Sequence, residues 1–199
     1  MDETANPDAV SFVESGLTFG PFPSTRTWRI EQSQLYCKQA PKGLRVVEAV
    51  LWRPGQKGAP PRLIFLEAKS SAPRVATTDH TSPAEQEKRV REFDTEICEK
   101  FLCSFHLWLS AAHGRWGSAD LPSDLRLDAL DLAGLRLEFC LIVRRLPDAE
   151  AAEQLSARLS PHFHRLAGAL KIDPPAVSVL TVDMAVRRRL CSPLASPTP

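Results

Sequence analysis

The chain alternates between short runs of apolar residues and loop segments rich in proline and glycine. Four apolar runs, at 44–52, 62–69, 135–145 and 176–182, are rich in β-branched and large aliphatic residues, which is typical of buried strands. The first two runs flank the segment 53–61, whose prolines and glycines indicate a loop. These two strands are therefore predicted to form an antiparallel hairpin.

A second pattern, in which apolar residues recur three or four positions apart, predicts helices. The sequence Ser-Pro-Ala-Glu at 82–85 is a helix-start signal and Gly114 is a stop signal, so a long helix is expected between them. Its apolar stripe comprises Val90, Phe93, Ile97, Phe101, Phe105 and Trp108. A second amphipathic helix is predicted over 148–170, and a short one over 27–38.

This order of elements predicts one α/β domain over residues 11–190. The predicted order is helix, strand, strand, long helix, strand, helix and strand. Residues 11–22 contain several large apolar side chains and are expected to form either a short strand or a packed segment. The polar residues 1–10 are predicted to be a flexible N-terminus, and the proline-rich residues 191–199 a disordered tail.

Composition narrows the functional classes. The 199 residues include 25 Lys and Arg against 24 Asp and Glu, so a strongly basic nucleic-acid-binding surface is absent on average, although local patches remain possible. No apolar run approaches the length of a membrane span, and the N-terminus lacks a signal-peptide pattern. The five cysteines lack zinc-site spacing, and we expect reduced thiols in a cytoplasmic protein.

The candidate chemistry lies at the end of the second hairpin strand. Glu67 and Lys69 follow four large apolar residues and are two positions apart, so they should project from the same face of a core strand. Glu48 lies in the middle of the first hairpin strand, although the long loop leaves the register open, and Glu31 lies on the preceding predicted helix. Converging carboxylates suit Mg²⁺ or Mn²⁺, and a neighbouring lysine can offset phosphate charge.

Together these residues resemble the PD-(D/E)XK nuclease superfamily, which includes restriction endonucleases and Holliday junction resolvases. The resemblance rests on Glu67 and Lys69 at the end of an apolar strand, with Glu48 on the preceding strand and Glu31 on the preceding helix. It implies a restriction endonuclease-like αβββαβ core over about residues 28–190, with a mixed sheet flanked by helices. Three segments, 30–36, 65–71 and 96–101, are also similar to an uncharacterised bacterial family.

The resemblance implies cleavage of DNA, or less often RNA, that depends on Mg²⁺ or Mn²⁺. By position, Glu48 and Glu67 would bind the metal, Lys69 would be the catalytic lysine, and Glu31 would match the helix glutamate that some members add. The sequence departs from the family because Val47-Glu48 replaces the usual Pro-Asp, and no second basic motif or fused DNA-binding domain is visible.

These departures leave a second hypothesis open. The chain would then be a catalytically silent subunit with the same fold, which binds a partner protein or nucleic acid in a larger bacterial complex, for example in phage defence; a homodimer is also possible. In that case Glu67 and Lys69 form only a cross-strand ion pair, and Glu48 and Glu31 are ordinary surface residues. The triple-arginine sequence at 187–189 would be a solvated cluster, with phosphate contact as the alternative.

Overall fold

The structure is a computed structural model. It describes residues 8–39, 43–55, 59–73, 82–115, 120–129, 135–164 and 176–193. The strands are β1 (Ala9–Glu14), β2 (Leu17–Pro23), β3 (Thr27–Trp28), β4 (Ala49–Arg53), β5 (Arg62–Lys69), β6 (Arg136–Val143), β7 (Ala176–Leu180) and β8 (Cys191–Pro193). The α-helices are α1 (Gln34–Gln39), α2 (Pro83–Ala112), α3 (Ala149–Leu159) and α4 (Val182–Arg187).

The main sheet is mixed and has the order β3-β4-β5-β6-β7. Strand β4 is antiparallel to both β3 and β5, and this confirms the predicted hairpin, in which Ala49 pairs with Leu66 and Arg53 with Arg62. Strands β5, β6 and β7 are parallel to one another, because α2 and α3 provide the long crossovers that parallel pairs require. The predicted α/β class is confirmed.

One face of the main sheet is covered by α2 and α3. Alternate residues of β5, such as Leu63 and Phe65, point to this face and join an aromatic cluster. In this cluster Phe65 meets the edge of Trp108 at 6.3 Å, and Phe139 lies 4.6 Å from Phe163, measured between ring centroids. Burial of these rings is what fixes the long helix against the sheet.

The other face of the main sheet is covered by a second, three-stranded sheet of order β1-β2-β8 together with α4. Ile64 and Leu66, which alternate with the residues of the first face, pack here with Phe19 and Ala185. A sheet flanked by helices was expected, but both long helices lie on one face. The reason is that the apolar hairpin of β1 and β2 occupies the other face.

The boundaries of several elements differ from those predicted. The expected helix over 27–38 divides into β3, a 3₁₀ turn at Ile30–Gln32 and the short α1, because Thr27 and Trp28 pair with β4. The first hairpin strand begins at Ala49 rather than at residue 44. The second predicted helix ends at Leu159 and continues as a 3₁₀ turn at Ser160–Phe163, where Pro161 lacks an N–H; its predicted part over 165–170 lies outside the described residues.

The domain also extends further than predicted. Ala9 and Val10 already belong to β1, and Cys191–Pro193 form β8, because both strands pair with β2 and complete the second sheet. Residues 1–7 and 194–199, the remainder of the predicted flexible ends, lie outside the described part of the chain. Among the described helices, none is long and apolar enough to cross a membrane.

The start of α2 is the best-predicted local feature. Ser82 is the N-cap, and its side chain accepts a hydrogen bond from the backbone N–H of Glu85. Pro83 occupies the first turn, where its missing N–H costs nothing. Gly114 follows the helix with φ of +72°, a conformation that glycine adopts without strain. The resulting 30-residue helix crosses the end of β5.

Candidate active site

The site begins with the acid and the base at the end of β5. The Glu67 side chain has no solvent exposure, and the Lys69 side chain is 24 % exposed. Their nearest charged atoms, Lys69 Nζ and Glu67 Oε1, are 3.5 Å apart. The structure therefore places both side chains on the strand face that α2 covers, as expected from their spacing of two residues.

Glu48 lies close to Glu67, at the open end of the hairpin. The hairpin pairing ends with Ala49 and Leu66, so Glu48 immediately precedes β4 rather than lying in the middle of the first hairpin strand, as predicted. Glu67 is the foremost of the charges that raise the pKa of Glu48, so the two carboxyls are close to each other. Glu48 is only 5 % exposed, so it is not the solvent-facing residue that a structural role at the surface would require. The register that the sequence left open thus brings two buried carboxylates together.

The backbone around Glu48 is fixed from two sides. The N–H of Val47 donates to Ser104 Oγ of α2 at 2.8 Å, which explains why β4 starts only after this point. The side chain of Arg29 donates to the Glu48 carbonyl at 3.1 Å and lies over the ring of Phe12, 3.8 Å from its centroid. Both contacts hold the carboxylate of Glu48 at the edge of the core.

A polar row on α2 organises the other side of the site. Glu96, Lys100 and Ser104 are four residues apart, so they lie on one side of the helix. Lys100 Nζ donates to Glu67 Oε1 at 2.7 Å. Glu96 Oε1 accepts from Lys69 Nζ at 2.6 Å. The helix therefore supplies one charged partner to each member of the β5 pair.

Lys100 and Glu96 were not singled out from the sequence as site residues. The signal for them is the row of polar residues at 96, 100 and 104, each directly before a member of the apolar stripe at 97, 101 and 105. Such a row borders the buried face of a helix. It becomes informative only when the element that packs against it is known to carry opposite charges.

Electrostatics set the protonation of the two carboxyls. Burial, followed by repulsion from Glu67, Glu31 and Glu14, raises the pKa of Glu48 to about 8, while Lys100 opposes the shift. Burial also raises the pKa of Glu67, and the attraction of its two lysines does not fully offset that cost. Both carboxyls are therefore poised to gain from an additional cation.

The lysine from α2 stays charged. Burial alone lowers the pKa of Lys100, but attraction and hydrogen bonding to Glu67, together with the charges of Glu48 and Glu31, outweigh this and raise it. Burial alone would raise the pKa of Glu96, but the hydrogen bond and the charge of Lys69 outweigh this effect and lower it. The charged Lys100 therefore lies beside two carboxyls, Glu48 and Glu67, whose ionised form is disfavoured by burial.

Two carboxyl groups, those of Glu48 and Glu67, are the candidate ligands for a divalent metal. Glu48 Oε2 and Glu67 Oε2 are both buried and lack a hydrogen-bond partner. Among the residues that the structure describes, no three acidic, histidine or cysteine side chains form a group that could hold a metal. Glu31, on its 3₁₀ turn, acts on Glu48 only through its charge and does not complete such a group. Mg²⁺ characteristically keeps several waters and takes one or two carboxylates.

A basic pocket opens beside the site. It has a volume of about 880 Å³ and is lined in part by Glu96, which holds Lys69, and by the cations Arg45, Lys88, Arg89 and Arg91. All four form ion pairs of 3.6 to 3.9 Å with glutamates, three of them between neighbouring turns of α2. Such exposed pairs are weak, so the cations can turn to an anionic ligand.

Comparison with known proteins adds no assignment to this geometry. The interpretation of the site therefore rests on its buried carboxylates, its lysines and the basic pocket beside it. The chain matches no protein-family model, no curated protein and no solved structure.

Proposed function

We propose that the protein is a divalent-metal-dependent nuclease that hydrolyses phosphodiester bonds, with DNA as its substrate. The observation that carries this proposal is the pair Glu48, just before β4, and Glu67, near the end of β5: two neighbouring buried carboxyls, each with an oxygen that has no partner. A structural ion pair would satisfy both oxygens. Two carboxyls that each keep one oxygen without a partner, next to lysines, are instead an arrangement suited to binding a cation and a phosphate.

The chain's own residues have separable roles in this proposal. Glu48 and Glu67 would hold Mg²⁺ or Mn²⁺, which supplies a polarised phosphate oxygen and a more acidic bound water when present. Lys100 orients Glu67 through its 2.7 Å hydrogen bond. Lys69, which is more exposed and is held by Glu96, is the residue placed to contact the scissile phosphate and offset its charge.

The fold supports the resemblance to the PD-(D/E)XK superfamily. Three strands, β3 to β5, precede the long helix α2, and β6 follows it, an order that is compatible with the βββαβ part of the implied core. The remaining helix, α1, lies between β3 and β4 rather than before all three strands. The basic pocket next to Glu96 would accept the nucleic-acid backbone, since phosphate contacts supply most of the non-specific affinity.

The silent-subunit alternative is favoured by a specific contact. The ion pair of Lys100 with Glu67 compensates that carboxylate without a metal, as a purely structural residue would require. In this reading the chain contributes a surface that binds a partner protein or nucleic acid in a bacterial complex, or pairs with a second copy.

A cleavage assay separates the two functions. Wild type, Lys69→Ala and Glu67→Gln are incubated with linear, circular and single-stranded DNA and with RNA, in Mn²⁺, Mg²⁺ or EDTA. We expect metal-dependent cutting of DNA that falls by at least about 100-fold in both variants, because each loses a group that acts on the reacting phosphate or its metal. Glu138→Gln is the matched control, since Glu138 is also a buried strand glutamate but pairs with Arg62 and Arg188 instead.

The outcomes are distinct. Equal cutting by wild type and both site variants would refute the assigned site. If the wild type cuts nothing and calorimetry shows no binding of Mn²⁺, the nuclease proposal fails and the silent-subunit alternative stands. The next experiment is then co-purification of partners from cells that express the tagged chain.

A further inference from the structure

A second pocket, distant from the carboxylates, collects arginines from separate parts of the chain. It has a volume of about 610 Å³, and its walls include residues of β2, β4, β5 and the end of α4. Six of its lining residues are arginines: Arg26, Arg53, Arg62, Arg187, Arg188 and Arg189. The sequence shows only the last three as a cluster, because the fold brings the others to them.

This arginine pocket is separate from the candidate active site. Arg62 begins β5, whereas Lys69 ends it, so the two sites are about 20 Å apart along the strand. They also lie on opposite faces of the sheet. Arg62 alternates with Leu63, which faces α2, and therefore points to the side covered by the second sheet.

The pocket carries an excess of positive charge. Glu138 pairs with Arg188 at 2.7 Å and with Arg62 at 3.4 Å. Asp124 pairs with Arg26 at 2.9 Å. The other three guanidinium groups, those of residues 53, 187 and 189, form no ion pair with any residue that the structure describes. Within the part of the chain that the structure describes, two carboxylates therefore pair with three of the six arginines, and the pocket has a clear excess of positive charge.

The framework of the pocket is fixed by Arg53 and by the backbone at the end of α4. Arg53 donates to the backbone carbonyls of Arg188 at 3.0 Å and Arg189 at 3.2 Å, and so caps the C-terminal end of α4. Arg189 has φ of +54°, a left-handed conformation that a non-glycine residue adopts only under tertiary constraint. Burial lowers the pKa of Arg53. Repulsion from Arg62 and Arg188 lowers it further, whereas the charge of Glu138 acts in the opposite direction. An incoming anion would relieve that repulsion.

We propose that this pocket binds the phosphate groups of an anionic ligand. A guanidinium group can donate two parallel hydrogen bonds to the oxygens of one phosphate. Several arginines that converge on one pocket are therefore typical of phosphate recognition. The volume lies within the range of small-molecule sites. Phe22 provides apolar surface beside the cations. The phosphate can come from a free nucleotide or from a nucleic-acid backbone, and the site does not depend on nuclease activity.

The test measures binding of three probes to the full chain by calorimetry and fluorescence anisotropy: pyrophosphate, ATP and a labelled single-stranded oligonucleotide. The variant is Arg187→Ala with Arg189→Ala, which removes two charges that no described ion pair uses. Arg115→Ala, at an exposed site beyond α2, is the matched control. We expect saturable pyrophosphate binding that weakens at least tenfold in the double variant and is unchanged in the control.

The remaining arms identify the source of the phosphate. ATP that binds through the same arginines without displacing the oligonucleotide supports a free nucleotide, whereas displacement of the oligonucleotide by pyrophosphate supports a backbone phosphate. The proposal is overturned if wild type binds no probe, if the double variant binds like wild type, or if citrate binds as tightly as pyrophosphate, since that shows attraction to any anion. A circular dichroism spectrum confirms that the double variant is folded.

Discussion

At the scale of single residues, the most consequential group is Glu48. Its carboxyl is buried just before β4, close to Glu67, and its pKa is raised to about 8. The folded protein therefore holds a proton on Glu48 between about pH 4.5 and 8 that the unfolded chain releases. The stability that this proton provides is complete below the unfolded pKa and is lost as the pH rises through the folded pKa.

Glu48→Gln should therefore change how stability depends on pH. Glutamine stays neutral, so the variant avoids the cost of burying a charged carboxylate at high pH. In EDTA, we expect wild type and variant to be similar near pH 4.5 and the variant to be more stable at pH 9, with an upper limit of about 5 kcal/mol, since one pKa unit is about 1.4 kcal/mol. Urea denaturation across this range measures the difference.

The same titration tests the cation site from a second direction. Mg²⁺ or Mn²⁺ should restore stability to the wild type at pH 9 but not to Glu48→Gln, because binding to the folded state alone raises stability. A difference between the two proteins that is independent of pH would contradict the raised pKa of Glu48.

The residues of the site were partly predictable. Glu67 and Lys69 follow from strand alternation, because two opposite charges at the end of an apolar run have few structural explanations. The proximity of Glu48 to Glu67 depends on the hairpin register, which a nine-residue connection at 53–61 does not determine. Lys100 was missed because helix periodicity identifies a polar row but not the strand that it faces.

At the scale of elements, α2 links the helix layer to the site through its polar row. Lys100, whose side chain is 14 % exposed, is the closest cation to the fully buried Glu67. Lys69 lies further from Glu67 and shares its charge with Glu96. Removing the helix lysine should therefore cost more than removing the strand lysine, although both contact the same carboxylate.

Lys100→Ala is expected to lower the free energy of unfolding by about 3 kcal/mol at pH 8, the range for breaking a buried ion pair. Lys69→Ala should lower it by less than about 1 kcal/mol, because that lysine is partly exposed. The loss for Lys100→Ala should shrink at pH 5, where Glu67 can take up a proton instead. Chemical denaturation of both variants at the two pH values measures this.

A double variant checks the cause of the effect. Lys100→Ala combined with Glu67→Gln should be more stable than Lys100→Ala alone, since no unpaired buried charge remains. If the two substitutions are simply additive, the loss comes from packing of the lysine stem and not from its charge.

The elements themselves differ in how well the sequence predicts them. Helix α2 is well predicted because its cap and its apolar stripe are local signals. Strand β3 has only two residues, and its conformation comes from pairing with β4 rather than from any periodic pattern. Strand β8 likewise forms because it pairs with β2, which lies about 170 residues earlier in the sequence. Local sequence patterns do not detect such a pairing.

At the scale of the whole molecule, the main sheet separates two apolar layers. Aromatic residues of α2 and of the sheet, together with aliphatic residues of α3, fill one layer, and β1, β2, β8 and α4 fill the other. The sequence predicted the first layer from helical periodicity. It left 11–22 open between a strand and a packed segment, because two glycines and a pair of prolines interrupt the pattern. The second layer could not be predicted from local patterns, because its sheet combines β1 and β2 from the start of the domain with β8 from its end.

Phe19→Ala tests whether the two layers form one cooperative unit. Phe19 is fully buried between the second sheet and the main sheet, so its truncation should cost about 3–5 kcal/mol. The tryptophans that the structure describes, Trp28, Trp52 and Trp108, all belong to the opposite layer. If β1, β2 and β8 are integral to the domain, their loss of packing must lower the denaturation midpoint reported by tryptophan fluorescence as much as that reported by far-ultraviolet circular dichroism. Val13→Ala, at an exposed position of β1, should leave both midpoints unchanged. A fluorescence midpoint that stays at the wild-type value in Phe19→Ala would show instead that the second sheet unfolds independently of the layer that carries the candidate active site.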